Sequence, residues 1–113
     1  MQKFFPKEKI GKFHGSEHQV LSYRVDGFCA ETNTVYEYHG NEFHGWPPME
    51  YPANKKPTDL NMYGFTYGDL YEKTMSRMKR IKEEGYNVKF VWEHDFVRVE
   101  SSKMRLEDIV KVL

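Results

Sequence analysis

A single cysteine, Cys29, is all that this 113-residue chain contains. That excludes an internal disulfide and a four-cysteine zinc site. No apolar run reaches the roughly 20 residues that a membrane helix needs, and no leader pattern is read in it. The expectation is a reducing, intracellular setting with no membrane contact. An excess of charge is missing too: 17 Lys and Arg stand against 17 Asp and Glu. Bulk attraction to nucleic acid is therefore absent, although a local basic face remains open. There are no internal repeats and no low-complexity tract.

What the chain has in quantity is aromatic rings, 16% of its residues. They can fill a compact core and still leave rings for a binding surface. The length fits one small domain over residues 1–113, with a core at about 17–99. Met1–Phe13 is short and basic and is broken by Pro6 and Gly11. Gly15-Ser16 reads as a turn. Val20–Phe28 and Thr34–His39 read as strands, with a turn cluster at Ala30–Asn33 between them, and so predict an antiparallel hairpin. Residues 45–64 carry Pro47, Pro48, Pro52, Pro57 and Gly64 and have no periodicity, which reads as a long loop, functional or mobile. Thr66-Tyr67-Gly68-Asp69 has capping spacing at the head of a helix. Leu70, Tyr71, Thr74, Met78 and Ile81 form its inward stripe, and Gly85 ends it. Asn87–Trp92 is a further strand. Ser101 or Ser102 is expected to cap a last helix over about 102–113, with Leu106, Ile109, Val110 and Leu113 on one face. The predicted class is α/β: a small mixed sheet opened by a hairpin and flanked by helices.

The chemistry concentrates in Val25–Trp46. Asp26 stands eleven positions before Glu37. Glu37 and His39 are two apart, so on a strand they face the same way. If Asp26 ends one strand and Glu37 lies on its neighbour, their carboxylates meet at one place on the sheet. The backbone carbonyl of Tyr38 would add a third oxygen. Such a set suits Mg²⁺ or Mn²⁺, which neutralises a phosphate and activates water. His44 is placed to act as general acid or base. Two other readings stay open on these residues. Asp26-Gly27 can be a turn signal with no chemistry. His39 and His44 can ligate zinc with a carboxylate, although no HExxH helix is present.

The segments YRVDGFC, ETNTVYEYHGNEFHGWP, GDLYEKTMSRMKRIKEEGYNV and VWEHDF run in this order over Tyr23–Phe96. Together they resemble the very-short-patch-repair endonucleases of the PD-(D/E)XK restriction-endonuclease-like superfamily. They are also similar to nuclease-like domains found in large DNA viruses and beside some virus-like family B polymerases. The resemblance implies a restriction-endonuclease-like core and metal-dependent hydrolysis of DNA phosphodiesters. It places Asp26 on the metal-binding Asp and Glu37-Tyr38-His39 on the (D/E)-X-K triplet, with the Tyr38 carbonyl as a backbone ligand. His39 takes the usual lysine position, to orient phosphate or water, and His44 falls on the catalytic His. The implied cofactor is Mg²⁺ or Mn²⁺. The implied partner is DNA, with a homodimer or a larger host protein as further partners. The implied setting, if the chain is viral, is the cytoplasm or nucleus of an infected cell.

The chain departs from these relatives in several places. Thr74 stands where they have an Asp that assists the catalytic His. Asn41, Trp46, Pro48 and His94 replace their structural zinc ligands, so no structural zinc is expected. Glu42-Phe43 replaces an aromatic pair that wedges into mismatched DNA, so mismatch recognition is not carried over. Their longer first helix supplies another acid, for which Glu17 is the substitute available here; the chain reads as a trimmed or minimal version. Lys73, Arg77, Arg80, Lys55 and Lys56 are candidate phosphate contacts, set against a mixed-charge helix whose face is simply solvated. Phe43 and Trp46 are candidate exposed rings. The rival reading from another class is a nucleic-acid-binding module that keeps the fold without cutting.

Overall fold

The computed structural model describes residues 18–101 and 105–113. The basic segment Met1–Phe13, the Gly15-Ser16 turn, Glu17 and Ser102 lie outside the described residues.

A four-stranded sheet forms the centre, in the order β3-β4-β5-β6: β3 is Gly27–Cys29, β4 is Thr34–His39, β5 is Asn87–Trp92 and β6 is Lys111–Val112. β3 pairs antiparallel with β4, Gly27 opposite Tyr36, across the turn at 30–33. β4 and β5 run parallel, Glu37 opposite Phe90 and His39 opposite Trp92. Parallel neighbours need a long crossover, and helix α2 (Tyr67–Glu83) lies within it. Thr66 caps α2 by accepting the N–H of Asp69 at 3.2 Å. Gly85, at φ +102°, follows its last turn and donates to the Lys82 carbonyl.

Strand alternation sends side chains to two layers. Val35, Val88, Phe90 and Trp92 pack with Met78 and Ile81 of α2. Tyr36 and Val91 pack on the other face with Cys29, Ile109 and, from helix α3 (Glu93–Ser101), Phe96 and Val99. The mixed α/β architecture is as the sequence reading has it. Of the inward stripe, Thr74, Met78 and Ile81 are buried, while Leu70 and Tyr71 are half-buried. Among the described residues no helix is long and apolar enough to cross a membrane.

Two expectations need correction. Val20–Phe28 is not one strand. It divides into β1 (His18–Val20), β2 (Tyr23–Val25) and β3. Leu21, at φ 57°, turns β2 back onto β1 as a separate hairpin. Asp26 then leaves the ladder, its side chain taking an acceptor role that a strand carbonyl would otherwise fill. The last helix over 102–113 is also overturned. The helix comes earlier, as α3 directly after β5, and the described tail holds a 3₁₀ turn at Leu106–Asp108 followed by β6. Ile109 is buried on the α3 side of the sheet and Leu113 packs on the α2 side. An extended tail along the sheet edge reaches both layers, whereas one helix face reaches a single layer. For α3, Glu93 and Asp95 in the first turn and Arg98 in the last complement its dipole.

Candidate metal centre

Asp26 sits in the one-residue break between β2 and β3, and β4 runs past it. Its Oδ2 accepts the backbone N–H of Tyr38 at 2.7 Å. A strand residue directs its N–H and C=O to the same edge, so the Tyr38 carbonyl leaves β4 on the side where Asp26 lies. Glu37 projects to the α2 face and is buried, at 4% exposure. Its carboxylate meets the Arg77 guanidinium at 2.9 Å and the backbone amide of Asp26. Burial pushes the Glu37 carboxyl up to about 7; Arg77 pulls it down in part, and the neighbouring negative charge of Asp26 raises it further.

Beyond β4, Gly40 opens the short helix α1 (Asn41–His44). Gly45, at φ +69°, ends it against the Tyr67 carbonyl, where a Cβ would collide. α1 puts His44 against α2, its Nδ1 2.8 Å from the Thr74 hydroxyl. The hydroxyl therefore occupies the hydrogen-bonding place beside the imidazole. The His44 ring lies 4.7 Å from that of His39. Burial, and then the charge of Arg77, lowers His44 to about 4. It is neutral at neutral pH.

His39 shares the face of Glu37, as the two-residue spacing requires, but only 1% of it is exposed. Its Nε2 lies 3.2 Å from the Met78 sulfur, and its ring packs between Phe90 and Trp92. Burial, His44 and Arg77 together push it down to about 3. At this burial the ring is closed to solvent.

The basic and aromatic candidates divide. Lys73 and Arg80 are exposed, Arg80 lying 3.6 Å from Glu84. Arg77 turns inward, to Glu37, the Arg24 carbonyl and the Tyr23 ring. Lys55 lies over the Tyr67 ring, and Lys56 is exposed. Phe43 is 53% exposed, although it lies on α1 and not on irregular loop, and it stacks on Tyr63 at 5.6 Å. Trp46 is half-buried between Tyr51 and Tyr67.

Three features go beyond the sequence reading. Tyr63, Met62 and Phe65 stand exposed on the loop before α2. The Asn61 side chain holds that loop: its amide donates to the Glu42 carbonyl, and its oxygen accepts from Tyr63 and Phe65. Asn61, with Asp59 before it and Gly64 after it, is the available signal. Second, the Thr74 hydroxyl itself partners His44, at the position where the resembled enzymes carry an assisting Asp. Third, Asn41 meets His94, whose Nε2 lies 2.9 Å from Glu50. Glu50, His94 and Asp95 offer ligand atoms within 4.8 Å of one another and could hold a metal ion. An ion there would have to displace the His94–Glu50 contact. Glu93 accepts the Asn41 N–H at 3.1 Å, which ties α3 to α1.

No protein-family model, curated protein or solved structure matches the chain.

Proposed function

We propose that this domain hydrolyses DNA phosphodiester bonds with a divalent cation held by Asp26, Glu37 and the Tyr38 carbonyl. The observation that carries this reading is the meeting of Asp26 and Glu37 at the open end of the β3–β4 pair, with Arg77 against Glu37 and within electrostatic reach of His44. The donor set fits such an ion: its ligands are all oxygens, and a cationic guanidinium already lies against the buried carboxylate. A bound Mg²⁺ or Mn²⁺ supplies charge neutralisation at the phosphate and a more acidic water.

The protein's own residues do the rest. His44, neutral and fixed through Nδ1 by Thr74, accepts a proton at its other nitrogen when that nitrogen is unprotonated. His39 is a positioning residue beneath His44, since its ring is sealed into the core. Lys73 and Arg80 offer exposed charge to flanking phosphates. The resemblance to the PD-(D/E)XK nucleases supports the same assignment of Asp26 and Glu37.

The test is cleavage of plasmid, single-stranded and branched DNA by the purified protein in Mn²⁺, beside Asp26→Ala. No cutting, or equal cutting by the variant, would sink the proposal. One observation favours a second reading, a binding module that does not cut: His39, at the position of the superfamily lysine, is buried away from any substrate. That module would bind DNA in gel shift and show no Mn²⁺ binding dependent on Asp26 and Glu37.

A further inference from the structure

Arg77 stands against the carboxylate that a divalent ion at this site would bind. Its Nη2 is 2.9 Å from Glu37 Oε1. The contact is close in charge but poorly aligned. Neither Glu37 Oε1 nor Arg77 Nε has an aligned hydrogen-bond partner among the described residues. The Arg77 side chain is 29% exposed, whereas that of Glu37 is 5% exposed. The cation can therefore move toward solvent while the carboxylate stays. Two further groups hold it nearby: the Tyr23 ring, 5.5 Å from the guanidinium carbon, and the Arg24 carbonyl.

Charge gives the arrangement a direction. With both carboxyls ionised, Asp26, Glu37 and Arg77 sum to one negative charge, which repels DNA. A divalent ion turns that sum into one positive charge, which complements the single negative charge of a phosphodiester. We propose that Arg77 is the internal counter-ion of the metal centre: the incoming ion displaces it from Glu37, and its freed guanidinium then binds the phosphate. This rests on Asp26 and Glu37 being the metal ligands. It makes Arg77 a competitor of the metal and a partner of the substrate, so its removal has opposite effects on the two.

The experiment is calorimetric titration of Mn²⁺ into wild type, Arg77→Met and Arg77→Lys, in degassed buffer at about pH 8.5, where few protons compete for a carboxyl. Arg77→Met is expected to bind Mn²⁺ roughly tenfold more tightly, since a like charge near the ion is gone. It is expected to cut DNA roughly tenfold more slowly, since a phosphate contact is lost. Arg77→Lys keeps the charge, so its Mn²⁺ affinity stays near wild type. A residue with only a structural role would weaken metal binding on removal. Arg77→Met that is folded by circular dichroism but binds Mn²⁺ no more tightly than wild type overturns the inference. Should that variant not fold, the wild-type chain decides. The Arg77 Nε–H signal in NMR must move on titration with Mg²⁺, and a stationary signal overturns the inference. Wild type that binds no Mn²⁺, or whose binding survives Asp26→Ala and Glu37→Gln, overturns the metal-centre reading itself. Normal Mn²⁺ binding with no effect of Arg77→Met overturns the counter-ion role alone.

Discussion

The Asp26 carboxylate accepts the Tyr38 N–H at 2.7 Å, so the residue assigned to the metal also closes the sheet where β3 begins. Its two roles separate by substitution. Asp26→Asn keeps an acceptor oxygen and loses the charge. Asp26→Ala loses both. Denaturant melts should place Asp26→Ala about 1–2 kcal/mol below wild type, the cost of leaving a part-buried amide unpaired. Asp26→Asn should sit nearer wild type. Both should lose Mn²⁺-dependent cleavage. Full cleavage by Asp26→Asn would confine the residue to structure.

The contact of Thr74 with His44 gives a second prediction. Thr74→Val is nearly isosteric and removes only the hydroxyl, which leaves His44 Nδ1 without that partner. Thr74→Ser restores it. Cleavage by Thr74→Val is expected to drop roughly tenfold and recover in Thr74→Ser, because the hydroxyl holds the base in place. Imidazole ¹⁵N shifts should report a changed tautomer balance in Thr74→Val alone. Equal rates for all three proteins would remove Thr74 from the site.

Asn61 is the third case. Its buried side chain makes two hydrogen bonds within the loop that carries Met62, Tyr63 and Phe65 and a third to the Glu42 carbonyl of α1. Asn61→Ala should cost about 1–3 kcal/mol and speed amide exchange at Tyr63 and Phe65, whose N–H groups it releases. Unchanged exchange there would mean that the loop is held by Glu42, which accepts the Met62 N–H at 2.7 Å.

The legible parts of the chain were those with a local cause. Thr34–His39, the Thr66 cap, the Gly85 stop and Asn87–Trp92 each follow from residues within a few positions of one another. The shared face of Glu37 and His39 follows from strand period alone. What escaped depends on contacts distant in sequence. His39 and Arg77 read as polar, solvent-seeking residues, but tertiary packing sinks one beneath Trp92 and turns the other onto Glu37. Ile109 and Leu113 read as one helical face because their spacing suits a helix, and only the two-sided sheet makes an extended edge the better solution. Asp26 reads as strand or turn; its placement is decided by Tyr38, twelve residues later.

The buried ionisable groups set how stability depends on pH. His39 and His44 fall from an ordinary 6.5 to about 3 and about 4 in the fold, through burial first. Below 6.5 the unfolded chain takes up two protons that the folded chain refuses, so these groups lower stability as pH falls. Glu37 acts in the opposite sense. Its carboxyl is raised from 4.5 to about 7, again by burial first, so its contribution is full below 4.5 and is lost as pH rises through 7. Between about 6.5 and 4.5 it offsets one of the two histidines, leaving one unbalanced proton, or about 1.4 kcal/mol per pH unit. Below 4.5 both histidines act unopposed and the loss steepens. Thermal melts should therefore show a falling Tm from pH 6.5 to 4.5, with a steeper fall toward 4. Glu37→Gln removes the opposing group and should steepen the upper part of the curve. His44→Gln removes one titrating histidine and should flatten it. A Tm independent of pH between 6.5 and 4.5 in wild type would show that His39 and His44 are not both held neutral in the fold, because Glu37 offsets one of them.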